Sequence, residues 1–180
     1  VSKDEVKRVA NKYLGENRSA VSIILPESSK NIPVANKIQN LGTAELVSES
    51  NGTQKYHLSD GATMLYTPNS SNDIIAISIY AKGGQLLDKI AGTANLTAAT
   101  MMKGTKNYTS LELSQVLEDN GIKIVPSVGA DAFSITVLTT KDEYDKTMEL
   151  LNEVVNNAIF DDYEIEKVKS DKLSAIKTNK

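Results

Sequence analysis

The chain has 180 residues, 20 Lys+Arg against 23 Asp+Glu for a formal charge of −3, and 40% apolar with 24% charged residues, an ordinary globular composition. Zero cysteines exclude a disulfide scaffold, thiolate metal sites and a Cys nucleophile, and a lone histidine, His57, excludes chemistry that needs two imidazoles from this chain. No run approaches the ~18 consecutive apolar residues of a membrane helix, and lysines scattered among acids form no stripe that matches a phosphate backbone, so neither a membrane span nor nucleic acid is expected.

The chain starts at Val1 with no initiator Met and no basic-plus-apolar leader, the pattern expected of an excised piece. A chain without thiols is indifferent to redox compartment, so localisation stays open. Ser2 with Glu5 reads as a capping box, and Val6, Val9, Ala10, Tyr13 and Leu14 recur at helical spacing until Gly15. Ala20 to Leu25, closed by Pro26, reads as a strand. Residues 27–43 are rich in Ser, Asn, Lys and Pro and read as a linker, which separates residues 1–26 from a second unit over 44–180.

In that unit Tyr56 to Leu58 and Ala62 to Thr67 flank the turn signal Asp60-Gly61, and Asp73 to Lys82 is a third strand running into Gly83-Gly84. Helical spacing follows from Ala91 to Met102, then from a Thr109/Glu112 capping box through Leu113, Val116 and Leu117 to Asn120-Gly121. Ile122 to Ser127 and Ala132 to Thr139 are strands. Thr140 with Glu143 is expected to cap a helix facing inward through Met148, Leu151, Val155 and Ile159, and Ile165, Val168, Leu173 and Ile176 mark the last helix. Strands grouped apart from helices predict an α+β fold, a largely antiparallel sheet with helices packed on one face.

The run Gly92-Thr93-Ala94-Asn95-Leu96-Thr97-Ala98-Ala99-Thr100-Met101-Met102-Lys103-Gly104-Thr105 resembles the heart of the pitrilysin/insulinase family of zinc peptidases, which includes the mitochondrial processing peptidase. There the segment reads, in outline, G-x-A-H-F-x-E-H-M-x-F-K-G-T. Leu58-Ser59-Asp60-Gly61 resembles the family's opening strand, Leu117 to Gly121 its L-E-x-x-G helix end, and Phe160-Asp161 with Glu164 its F-x-x-x-E helix start. The resemblance covers residues 54–177. Residues 1–25 resemble another place in the family, the end of a second lobe, where a helix leads into a closing strand. The fragment is therefore expected to straddle the junction between two halves of a longer chain.

In the family's inverted motif H-x-x-E-H, two imidazoles one helical turn apart hold zinc and the Glu acts on its bound water. Here Asn95 and Ala99 stand at the histidine positions and Ala98 at the Glu position. The family's further Glu ligand corresponds to Ala175, 175 − 99 = 76 residues on. Catalytic zinc needs about three protein ligands, and alanine offers no donor. The resemblance thus implies a degenerate half with no catalytic residue and no cofactor of its own. Its expected role is to wall a chamber and bind peptide substrates, zinc lying in an upstream half of the same polypeptide. Self-association of the fragment is a further expectation, from the apolar faces that the cut exposes. The other reading is a wholly inactive scaffold of the same fold, like the core subunits of the respiratory bc complex.

The remaining candidates have plain readings. His57 alternates on a strand without a second ligand nearby, and Gly83-Gly84 lacks the further glycine and Lys-Ser/Thr of a phosphate loop and reads as a tight turn. Met101-Met102 reads as core filling, Asp161-Asp162 as a helix cap, and the Glu164, Glu166 and Asp171 set among Lys167, Lys169 and Lys172 as a solvated helix face.

Overall fold

The computed structural model describes residues 2–13, 19–26 and 43–178, with the strand at 19–26 described by its backbone. Five helices, α1 Lys3–Tyr13, α2 Thr93–Thr100, α3 Ser110–Asp119, α4 Tyr144–Asn157 and α5 Asp162–Thr178, accompany seven strands. The strands are β1 Ser19–Pro26, β2 Glu45–Ser50, β3 Thr53–His57, β4 Thr63–Asn69, β5 Ile74–Lys82, β6 Lys123–Val128 and β7 Ala132–Thr140. They form one sheet in the order β2-β3-β4-β1-β5-β7-β6. Every neighbouring pair is antiparallel except β1 with β4. The fold is α+β, as the grouping of strands and helices predicts.

Alternation along β5 and β7 decides where the core sits. Ile75, Ile77 and Ala81 of β5 and Phe133, Ile135 and Val137 of β7 are buried, while Ile74, Tyr80 and Leu138 between them are exposed. One face is therefore covered, and it meets Leu96 and Met101, Leu113 and Leu117, Leu150, Leu151 and Val154, and Ile165 from the four later helices. Each such side chain stabilises the fold by about 1.5–3 kcal/mol on burial.

Residues 1–26 share this sheet and core. The Glu5 amide donates to Ser2 Oγ at 3.3 Å, and the Glu5 carboxylate turns to Arg8 at 2.6 Å. Val6, Val9 and Ala10 are buried as their spacing predicts, and α1 packs on α2. The Tyr13 side chain, Leu14, Gly15 and linker residues 27–42 lie outside the described residues.

Four readings are corrected. One strand, β2, precedes the expected three and forms a hairpin with the first of them, β3; the hairpin turns at Asn51 (φ 50) and Gly52 (φ 75), but all six β2 residues are exposed and show no apolar alternation. Thr140 ends β7 rather than capping a helix, and α4 starts one residue after Glu143, which makes no side-chain cap. The buried face of α4 is Tyr144, Thr147, Leu150, Leu151 and Val154, with Met148 and Val155 at its margin and Ile159 past its end at 39% exposure. In α5, Ile165 and Val168 are buried, but Leu173 and Ile176 are 51% and 60% exposed, so the apolar period continues beyond the described residues that cover it.

Candidate functional site

The helix that carries the degenerate motif is held at both ends and along one side. Its entry rests on Asp88, whose carboxylate accepts from the Gly92 amide at 3.2 Å and the Ala94 amide at 3.1 Å, two donors a helix start leaves unpaired. Ahead of it, Gly84 (φ 118) lies so close to the β6–β7 turn that a Cβ would sit 2.6 Å from the Gly129 carbonyl oxygen. The Gly83 amide bonds the Asp131 carbonyl at 2.8 Å and the Gln85 amide the Gly129 carbonyl at 3.1 Å. Gly83-Gly84 is thus a docking point between two loops, a stricter demand than a tight turn.

Threonines line the side towards α1. Thr93, Thr97 and Thr100 recur at i, i+4 and i+7, are 0%, 0% and 1% exposed, and donate their hydroxyls to the carbonyls of Ile90, ahead of the helix, and of Thr93 and Leu96 within it. Thr97 Oγ1 also lies 3.5 Å from the Val6 carbonyl oxygen. Asn95, Ala98 and Ala99, at i, i+3 and i+4, fall on the opposite side. Ala98 is buried at 7% exposure, whereas Asn95 and Ala99 are half-buried and form the strip along which solvent reaches α2. Ala175 stands apart, exposed in the last turns of α5.

The Lys103-Gly104-Thr105 run leaves α2 and is fixed by α4. Thr105 bridges to Ala158, and the Lys106 amide donates to the Asn157 carbonyl at 3.0 Å. Beneath it Glu153, 7% exposed, accepts from the Asn107 amide at 3.3 Å and from Asn157 Nδ2 at 2.8 Å. Burial pushes its carboxyl up, but hydrogen bonds from Asn157, from Thr105 and from the side chain and backbone of Asn107 outweigh that and hold it below the usual range. Neither Asp88 nor Glu153 stood out in the sequence. An Asp four residues ahead of the Gly92 cap was a local signal for the first, while the partners of the second lie as far as 46 residues away.

The other candidates take the places read for them. His57 is exposed at the end of β3, Met101 is 0% exposed in the core with Met102 packed against it, and Asp161 Oδ1 accepts from the Tyr163 amide at 2.9 Å as a cap of α5. Lys169 and Glu166 pair at 3.1 Å on the solvated face of that helix. Among the described residues no three His, Asp or Glu side chains gather as metal ligands do, and no helix is long and apolar enough to cross a membrane.

The model of the insulinase family, peptidase family M16, matches residues 63–180. The chain belongs to this family. The non-peptidase homolog YmxG of Helicobacter pylori (strain ATCC 700392 / 26695) is 30% identical over 98 residues, which are 54% of this chain and 23% of that protein. Among solved structures, the periplasmic protease PqqL from Escherichia coli matches with a TM-score of 0.64 at 15% identity, over 77% of this chain and 16% of its own. The insulinase-like fold is shared at that low identity, and the chain spans well under half the length of either relative.

The family's zinc does not suit the residues present. Of Asn95, Ala98, Ala99 and Ala175 only Asn95 has a donor, a neutral amide oxygen, against the about three N, O or S ligands that catalytic zinc requires. Nothing at these positions could serve as a general base toward water.

Proposed function

We propose that the chain is a non-catalytic lobe of an insulinase-family protein, contributing chamber wall and peptide contacts while an upstream half of the same polypeptide supplies H-x-x-E-H and its zinc. In this reading residues 1–26 are the end of the preceding lobe in the order of the chain, although α1 and β1 enter this sheet and core, 27–43 are the linker, and 44–180 are an incomplete second lobe. One observation carries it: α2, entered over the Asp88 carboxylate and left through Lys103-Gly104-Thr105, offers only Asn95, Ala98 and Ala99 where the resemblance puts the metal chemistry. A sheet edge, such as β2 at the end of the strand order among the described residues, can pair with an extended peptide through its backbone and needs no catalytic side chain.

The reading that the whole protein is an inactive scaffold draws support from the likeness to a relative described as a non-peptidase homolog. Metal analysis tests the shared part. Metal-free chain titrated with zinc is expected to hold no stoichiometric ion and to cleave no unfolded peptide; one tight equivalent lost on Asn95→Ala would overturn it. Peptidase activity of the full-length protein, abolished by chelator, separates the first reading from the scaffold.

A further inference from the structure

The two sides of the sheet share no ladder of their own. Among the described residues, β2-β3-β4 and β5-β7-β6 are joined only through β1, which pairs with β4 from Ala20↔Thr63 to Pro26↔Asn69 and with β5 from Ser19↔Ala81 to Ile24↔Ala76. Its helix is set as deeply: Val6 is 0% and Val9 2% exposed against the core. This helix–strand arm is therefore an insert that completes a split body, rather than an appendage lying on it.

The connection back to that body is long for its task. Register puts Glu45 level with Ala20, across His57 and Thr63 and three strand spacings away. A chain leaving Pro26 must come back six residue levels and cross those spacings, about 25 Å at ~3.3 Å per residue and ~4.8 Å per strand. The 18 residues from 27 to 44 reach about 60 Å when extended, so the covalent link does not dictate whose sheet the arm enters.

We propose that the slot between β4 and β5, with the face of α2 that receives α1, is an acceptor site for a helix–strand arm, and that two copies of this chain exchange arms through it. Residues 3–26 of one copy complete the sheet of the other. The exchanged dimer keeps every contact of the monomer, so chain concentration and linker length set the balance between them. This inference does not depend on the catalytic reading.

Two experiments decide it. Deleting residues 29–42 leaves four linking residues, which reach about 18 Å and cannot return the arm to its own slot. Light scattering is expected to give twice the chain mass with unchanged circular dichroism, and a folded monomer with α1 amides protected as in the parent would overturn the proposal. In the unshortened protein, Ser22 and Leu65 are register partners on β1 and β4. Chains bearing Ser22→Cys and Leu65→Cys, mixed and refolded at millimolar concentration, are expected to form a disulfide-linked heterodimer, whereas Ser22→Cys with Leu111→Cys, exposed on α3, is not. No heterodimer, or equal yield with the control, overturns it even if the shortened variant fails to fold.

Discussion

Glu153 is where a single side chain has most influence on the motif segment. Its carboxylate holds the segment after α2 to the end of α4, so Glu153→Ala leaves the Asn107 amide and the Asn157 side chain without their acceptor in a half-dry site, a loss of about 1–3 kcal/mol. Its folded pKa lies below the usual value, so the stabilisation it gives is present above the unfolded value of about 4.3 and disappears as pH falls through the folded one. The thermal midpoint of the parent should therefore drop more steeply on acidification below that point than the midpoint of Glu153→Gln; parallel curves would contradict this. Ala98 makes the complementary case. It is buried, so the larger and charged side chain of Ala98→Glu should cost about 1–3 kcal/mol in chemical denaturation. Restoring His, Glu, His and Glu at positions 95, 98, 99 and 175 is thus expected to raise zinc affinity while recovering little peptidase activity, since nothing here orients the new ligands. Asn95, Ala98 and Ala99 could be read together because they fall within about one helix turn, whereas Ala175 lies 76 residues on from Ala99 and was reached only through the resemblance. Glu153 was not legible, since its meaning lies in a loop far away along the chain.

Among the elements, short-range chemistry was read well and long-range context poorly. The Thr109/Glu112 box forms as expected, with the Thr109 amide donating to Glu112 Oε2 at 2.8 Å and the Glu112 amide to Thr109 Oγ1 at 3.3 Å. These bonds from the Thr109 backbone and side chain hold the Glu112 carboxyl below its ordinary range. The same pattern at Thr140 fails because that residue is taken by the β7–β5 ladder, where it pairs with Ile74. In α5 the apolar stripe is continuous in sequence but divided in space, since burial needs a neighbour as well as a period. Ile165→Ala should therefore cost about 2–5 kcal/mol, and Leu173→Ala or Ile176→Ala within about 0.5 kcal/mol, in urea unfolding of the same chain. A large loss at Leu173 would show that the exposed end of α5 is covered in solution, for instance by a second copy.

For the molecule as a whole, the β-branched run ending at Pro26 identified β1 as a strand, but nothing local could place it between β4 and β5, because that position depends on edges formed by residues 63–69 and 74–82. Its central place makes cooperativity depend on it. The β5-β7-β6 side is backed by helices and a buried core, whereas β3 and β4 are half-buried or exposed along their whole length, so the second group leans on β1 for its protection. Proline at the middle of β1 removes a ladder donor from a strand paired on both sides. With Ser22→Pro, hydrogen exchange in the full chain should speed up at least tenfold over Thr53–His57 and Thr63–Asn69, an opening cost lowered by about 1.4 kcal/mol, while Phe133 to Val137 and α4 keep most of their protection. Equal acceleration on both sides would mean that the sheet opens as one unit, and that the core beneath β5 and β7, rather than the inserted strand, holds β3 and β4 in place.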